Sequence, residues 1–180
     1  PTEAYEKIPT VILADAPEAA AALAAEVRDL ILARRAAGQP AVLGLATGST
    51  PVPFYRELIR LHRDEGLSFH DVITFNLDEY YGLSRHHRES YFRFMQEQLF
   101  AHIDLKPENI HLPDGTVPLD GVFAHCAAYE DAIRAAGGID LQILGINCKA
   151  WKDQGIPLGR GIVESLPKLI GVVFVGRKRT

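Results

Sequence analysis

The stretch 41–51, AVLGLATGSTP, decides the fold because an apolar run passes there directly into a polar, glycine-containing turn. Residues 41–45 predict a buried strand, since a short apolar run bounded by turn residues is typical of a sheet core. Residues 46–51 predict a tight loop. The segment 53–65 predicts a helix, because Phe54, Leu58 and Leu61 recur at helical spacing. A strand, a tight loop and a helix in succession indicate a β-α-β unit.

The segments on both sides repeat this alternation. Strands are predicted at 10–14, 71–77, 109–112, 139–146 and 169–175, and helices at 15–37, 90–100 and 118–136. Such an alternation implies right-handed β-α-β units and a mainly parallel sheet. We therefore predict an α/β fold of the doubly wound, Rossmann-like kind, with helices flanking the sheet and a single domain over residues 1–180.

Composition excludes several functional classes. The net charge of −4 gives no electrostatic reason to expect nucleic acid or an anionic membrane as partner. No apolar run approaches the roughly 20 residues that cross a bilayer, and the first residues lack the basic and apolar regions of a signal peptide. The two cysteines form neither a disulfide framework nor a metal-like spacing. We expect a cytoplasmic protein without a metal site.

The loop at the end of the 41–45 strand is a candidate anion site, formed by Thr47, Gly48, Ser49 and Thr50. Gly48 lets the backbone approach a ligand, and the hydroxyls and the following helix N-terminus suit a phosphate. The loop is neither a Walker A motif nor a dinucleotide fingerprint, because it lacks the lysine of the first and the glycine spacing of the second. The alternative is that these residues only make the turn and cap the helix.

Two adjacent carboxylates, Asp78 and Glu79, follow the predicted strand at 71–77. Ligands bind beyond the carboxyl ends of the strands in an open parallel sheet, so both are candidates for general acid–base catalysis. Alternation along a strand should point them in different directions, with one facing the crevice. The alternative is a solvated acidic loop start. Tyr80 and Tyr81 either wall the crevice or are ordinary strand-end aromatics.

Four segments together resemble the glucosamine-6-phosphate deaminase family, which is related to the 6-phosphogluconolactonases. Their order and spacing match that family, and the helix and strand of residues 129–146 continue the match. The FNLDEYYGL motif is specific to the deaminases, whereas the TGSTP loop is shared with the lactonases. The resemblance covers about residues 11–146, and its four segments are LGLATGSTP (43–51), VITFNLDEYYGL (72–83), ESYFRFM (89–95) and DLKPENIHL (104–112).

The resemblance implies a cofactor-free isomerisation coupled to loss of ammonia, in amino-sugar and N-acetylglucosamine catabolism. Glucosamine 6-phosphate would become fructose 6-phosphate and ammonium. Asp78 matches the base that moves a proton between C2 and C1, and Glu79 is the second catalytic candidate beside it. The loop from Thr47 to Thr50 matches the segment that grips the substrate phosphate. The partner is then a small sugar phosphate, and both a monomer and a homo-oligomer agree with the resemblance.

The resemblance stops after Ile146. The family continues there with a Gly-x-x-Gly-His turn used in opening the sugar ring, whereas residues 147–152 read NCKAWK and no histidine follows His125. Loss of one member of a proton-transfer set is expected to slow turnover about 10²–10⁴-fold. Lys178 and Arg179 follow the predicted strand at 169–175 and are candidates for binding the phosphate; the alternative is a solvated terminal cluster.

Three functions therefore stay open. The first is a glucosamine-6-phosphate deaminase, favoured by FNLDEYYGL. The second is a lactonase-like hydrolase on the same fold, which would not need Asp78 to move a carbon-bound proton. The third is a sugar-phosphate-binding protein that has lost catalysis, favoured by the change of pattern after Ile146.

Overall fold

The computed structural model describes residues 13–146 and 172–177. The described helices and strands alternate along the chain. The helices are α1 (Ala16–Ala36), α2 (Val52–Glu65), α3 (Tyr91–Gln98) and α4 (Val122–Ala135), and the strands are β1 (Val42–Leu45), β2 (Ile73–Asn76), β3 (Ile110–His111), β4 (Leu141–Ile146) and β5 (Val172–Arg177).

The strands form one sheet in the order β3-β2-β1-β4-β5. The pairs β1–β2, β1–β4 and β2–β3 are parallel, and β5 runs antiparallel to β4. The predicted α/β fold with a mainly parallel sheet is confirmed. The chain builds outward from β1 through β2 to β3 and then returns to the other side of β1 with β4. In such sheets the reversal beside β1 marks the ligand-binding crevice.

The main core lies between one face of the sheet and helices α1 and α2. The register aligns Leu43 with Thr74 and with Leu141, so these side chains share that face. Helix α1 buries Leu23, Val27 and Ile31 at helical spacing, and α2 buries Phe54, Leu58 and Leu61 as predicted. Full burial of each aliphatic or phenyl side chain contributes about 1.5–3 kcal/mol, which fixes α2 and the loop before it against β1.

Helix α4 attaches to the opposite face chiefly through Tyr129. The Tyr129 hydroxyl donates hydrogen bonds to the carbonyl oxygens of Asn76 (2.8 Å) and His111 (3.1 Å). Its ring meets Phe75 edge to face at 5.7 Å between centroids, and Phe75 stacks on His111 at 4.5 Å. These contacts join α4 to the ends of β2 and β3. No helix within 13–146 is long and apolar enough to cross a membrane.

Local side-chain capping explains the starts of two of the four described helices, α1 and α3. Asp15 is the N-cap of α1, its carboxylate accepting from the Glu18 amide at 2.8 Å, as its position before Pro17 predicts. Ser90 caps α3 by accepting from the Arg93 amide at 3.1 Å. The predicted helix 90–100 ends earlier, at Gln98, because Leu99 leaves the helical conformation (φ −146°, ψ −61°).

Two further boundaries differ from expectation. Helix α4 begins at Val122 because residues 119–121 form a 3-10 turn instead of the predicted first helical turn. The last strand, Val172–Arg177, extends two residues beyond the predicted end at 175, and the predicted residues 169–171 lie outside the described residues. The predicted strand at 10–14 lies mostly outside the described residues, and its described members, Leu13 and Ala14, are not in a strand.

Candidate functional site

Buried side chains anchor the loop that follows β1. The Tyr55 hydroxyl, from α2, donates to the carbonyl oxygen of Ala46. The side-chain amide of Asn76, at the end of β2, donates to the carbonyl oxygen of Leu45 at 3.3 Å. Tyr55 and Asn76 are 0% and 1% exposed, so both bonds are shielded from water. The two peptide units that lead into Thr47 are therefore held by two neighbouring elements.

Beyond this anchor, Gly48 has φ +103°, a conformation that L side chains rarely adopt. A Cβ atom there would meet no other atom within 4 Å, so the backbone conformation, not crowding, requires glycine. The loop turns at Gly48, so that Ser49 and Thr50 lie directly before the start of α2. Gly48 and Ser49 are exposed, and Thr50 is half-buried.

Helix α2 begins at Val52, and its N-cap residue, Pro51, provides no side-chain cap. Within residues 13–146 the hydroxyls of Ser49 and Thr50 make no hydrogen bond to the helix; the bond nearest the turn joins the Val52 amide to the Ser49 carbonyl oxygen at 3.4 Å. The Ser49 and Thr50 hydroxyls therefore do not cap α2, which was the alternative to anion binding. They and the positive end of the helix dipole remain available to an anion.

Asp78 lies two residues beyond the end of β2. Because β1 and β2 are neighbouring parallel strands, their carboxyl ends share one edge of the sheet, and Asp78 lies on the same edge as the loop 47–50. Desolvation, and then the adjacent Glu79 carboxylate, raise the pKa of Asp78 above its ordinary value. A carboxylate with a raised pKa at a strand end is suited to accept a proton.

Glu79 has a different environment. Its Oε1 accepts from the amides of Tyr80 and Tyr91, each at 2.8 Å, and its Oε2 accepts from the amide of Phe92 at 3.0 Å. Tyr91 and Phe92 open helix α3, so Glu79 caps that helix across the intervening loop. The two adjacent carboxylates thus have different surroundings; both lie beyond the end of β2, so strand alternation does not explain the difference.

Tyr91 connects the two strand ends. Its hydroxyl interacts with the side chains of Tyr80 and Thr47, and the ring centroids of Tyr91 and Tyr80 lie 4.5 Å apart. The interaction with Tyr80, followed by desolvation, raises the pKa of Tyr91 to about 12, so the hydroxyl stays protonated at neutral pH. Sequence reasoning missed this residue, although it follows Ser90, whose capping position marks the start of α3.

The loop 80–89 between Glu79 and α3 packs directly against the backbone of Gly115, where there is no room for a side chain. The Gly82 amide donates to the Gly115 carbonyl oxygen at 2.7 Å. A Cβ at Gly115 would lie 2.2 Å from the Tyr80 carbonyl oxygen and 2.8 Å from that of Leu83. Gly115 is therefore needed for the loop to hold Tyr80 in place. Tyr81 is largely exposed and does not line the site.

Residues 14–146 match the protein family described as Glucosamine-6-phosphate isomerases/6-phosphogluconolactonase. The chain belongs to this family. The match ends at the residue where the pattern of motifs stops in the sequence. The described part of this family member thus contains the two strand ends and α3.

Curated relatives are similar over the same region. A glucosamine-6-phosphate deaminase of Hahella chejuensis (strain KCTC 2396) is 53% identical over 136 residues, 76% of this chain and 50% of that protein. Glucosamine-6-phosphate deaminase 2 of Bacillus subtilis (strain 168) is 52% identical over 123 residues, 68% of this chain and 47% of that protein. The chain therefore spans about half the length of these relatives.

Solved structures share the fold. The structure of a monomeric glucosamine-6-phosphate deaminase superposes with a TM-score of 0.68 at 29% identity, covering 94% of this chain and 76% of that one. The structure of 6-phosphogluconolactonase from Thermotoga maritima superposes with a TM-score of 0.59 at 25% identity, covering 73% and 56%. Both branches of the family share the α/β architecture.

In this family member the structure brings together six of the residues predicted for the site. Asp78 and Glu79 lie at the end of β2, beside the loop at the end of β1 formed by Thr47, Gly48, Ser49 and Thr50. Lys178 and Arg179 lie outside the described residues, so their predicted part in phosphate binding stays a prediction. Within 13–146, no group of three His, Cys, Asp or Glu side chains is arranged to hold a metal.

Proposed function

We propose that this protein is a glucosamine-6-phosphate deaminase, which converts glucosamine 6-phosphate and water to fructose 6-phosphate and ammonium. The observation that carries the proposal is the placement of Asp78, with its raised pKa, at the strand end next to the loop 47–50. The identities of 53% and 52% to proteins named as glucosamine-6-phosphate deaminases support the same activity.

In the proposed reaction Asp78 is the base. Its carboxylate takes the proton from C2 of the open-chain sugar, next to the C1 aldehyde, and the C1 oxygen takes up a proton as an enediol-type intermediate forms. The proton held by Asp78 is returned to C1 while the nitrogen on C2 loses a proton, which leaves an imine at C2. Water then adds to the imine carbon, and ammonia leaves. A base contributes most when its pKa lies near the working pH, and the raised pKa of Asp78 moves it in that direction.

The loop 47–50 binds the phosphate in this proposal. Ser49 and Thr50 supply hydroxyl donors that α2 does not use, and the helix dipole favours the negative charge. Binding the phosphate at a distance from C1 and C2 supplies energy that orients the reacting carbons toward Asp78. Lys178 and Arg179 are proposed as additional phosphate ligands, on the evidence of their position in the sequence alone.

Glu79 was the second catalytic candidate. Both of its carboxylate oxygens already accept backbone hydrogen bonds from the loop and from α3. Its part in a proton-transfer step stays a prediction, and Asp78, which makes no such bonds within the described residues, is the base in the proposal.

The test is ammonia release from glucosamine 6-phosphate by the purified chain, beside an Asp78→Asn variant and with hydrolysis of 6-phosphogluconolactone measured in parallel. Release by the wild-type protein that falls about 10²–10⁴-fold in the variant supports the proposal. Lactone hydrolysis without ammonia release would assign the lactonase branch, whose shared fold and TGSTP loop make it the second candidate. Thermal protection by glucosamine 6-phosphate without either reaction would assign a binding protein that has lost catalysis.

We also propose a cytoplasmic location and a single domain over residues 1–180. The composition and the absence of paired cysteine spacing support the location. Assembly into a homo-oligomer is a further proposal that the family resemblance alone supports, and size-exclusion chromatography with light scattering tests it.

A further inference from the structure

The loop between β2 and α3 returns on itself, and one side chain closes it. Glu79 lies at the start of this loop. Its carboxylate accepts hydrogen bonds from the backbone amides of Tyr91 and Phe92, which lie at the end of the loop, 12 and 13 residues later. Ser90 adds a second closure, because its hydroxyl donates to the Arg85 carbonyl oxygen at 2.9 Å and also caps α3. The chain between these points is largely exposed, and these polar bonds, together with the Tyr80–Tyr91 ring contact, hold its two ends together.

This closure sets where two site residues lie. Asp78 precedes Glu79 directly, and Tyr91 donates its amide to the Glu79 carboxylate. The Tyr91 hydroxyl in turn reaches the side chain of Thr47 on the opposite strand end. One carboxylate thus joins the residue that bears the base to the residue that contacts the phosphate loop.

We infer that Glu79 is a positioning residue: its carboxylate ties the start of α3 to the end of β2 and thereby holds Asp78 and Tyr91 in register with Thr47. The reaction that Glu79 would support rests on the proposed function, whereas the contacts of Glu79 with Tyr91 and Phe92 do not. The inference assigns the second carboxylate of the DEYYGL motif a role other than proton transfer. At neutral pH the bonds are charge-assisted, which makes them stronger than bonds between neutral groups.

The charge of Glu79 has a second effect. Asp78 is flanked by Glu79 on its own segment and by Tyr91 on α3, with Tyr80 packed against Tyr91. Of these groups, Glu79 is the one that carries a negative charge at neutral pH. It therefore favours the protonated form of Asp78 while it holds the helix in place.

A pH titration of the complete labelled chain by NMR tests the inference without requiring turnover. We expect the amide signals of Tyr91 and Phe92 to shift with the same midpoint as the Glu79 carboxyl carbon. In Glu79→Gln that transition should vanish and the midpoint of the Asp78 carboxyl should move to lower pH. Glu89→Gln is the matched control, because Glu89 is an exposed carboxylate in the same loop, and it should change neither.

A residue that merely caps a helix would lower stability but would leave kcat for ammonia release unchanged. Tyr91 and Phe92 amides that do not follow Glu79 in the wild type would overturn the inference. The wild-type titration decides the contact even where the variant does not fold.

Kinetics then separate the inference from the proposed function. Glu79→Gln should lower kcat for ammonia release roughly 10- to 100-fold, the scale expected for a slightly misplaced base, with a smaller change in KM. An unchanged kcat would overturn the inference. Wild-type protein that releases no ammonia, but shows the expected titrations, would sink the proposed reaction and support the Glu79 contacts.

Discussion

Replacing Tyr55 by phenylalanine removes one hydroxyl group from beneath the loop 47–50. The ring of Tyr55 is fully buried and would stay in place, so the substitution opens no cavity larger than the oxygen. It leaves the Ala46 carbonyl oxygen, on a residue 8% exposed, without its donor. A buried acceptor without a partner costs about 1–3 kcal/mol. Burial raises the pKa of Tyr55, so the lost group is a donor throughout the stable pH range.

Urea and thermal unfolding measure this cost. We expect the urea midpoint to fall with an unchanged m-value, because the surface exposed on unfolding stays the same. Each kcal/mol lowers the Tm of a domain of this size by about 2–4 °C. Tyr81→Phe is the control: Tyr81 is 62% exposed, and its change should stay within about 0.5 kcal/mol.

The same variant should bind glucosamine 6-phosphate more weakly, because the peptide unit before Thr47 is no longer held from α2. Thermal protection by the substrate reports this loss separately from the loss of stability. A Tyr55→Phe protein as stable as the Tyr81→Phe control would refute the reasoning that the Ala46 carbonyl depends on this bond.

Three other substitutions test the same framework. Gly48→Ala should cost about 1–3 kcal/mol of stability through its backbone conformation alone, and it should weaken substrate protection; an unchanged urea midpoint would contradict this. Asp78→Asn should raise Tm near pH 7, because a raised pKa means that the ionised form destabilises the fold, and the gain should vanish below about pH 4. Arg34→Met should lower stability by up to about 3 kcal/mol by leaving the buried Asp140 without its ion pair, whereas the exposed Arg88→Met should have little effect on the urea midpoint.

Local sequence features predicted the elements that position the site. Three of these features are the apolar run of β1, the glycine of the turn, and the helical spacing of Phe54, Leu58 and Leu61 in α2. Each depends only on residues close by in the sequence, so the residue pattern indicates it directly. The acidic pair after β2 could be identified as a candidate site for the same reason. The position of Ser90 marked the start of α3.

The contacts between elements were not predictable in this way. The Glu79 bonds to Tyr91 and Phe92, and the Asn76 bond to the Leu45 carbonyl, join residues 12 to 31 positions apart. No local rule specifies which backbone amide a carboxylate will reach after a loop of that length. Tyr91 was missed because its place beside Thr47 depends on the long-range bond between the Glu79 carboxylate and the start of α3.

The central claim is that Asp78 moves a proton on a sugar carbon, and proton exchange at C1 of fructose 6-phosphate tests it most directly. The measurement is the NMR signal of the C1 protons during incubation of the complete chain with fructose 6-phosphate and ammonium in D₂O. The account predicts exchange by the wild-type protein, reduced about 10²–10⁴-fold in Asp78→Asn. Exchange by Asp78→Asn at the wild-type rate, or none above the background by the wild-type protein, would contradict it.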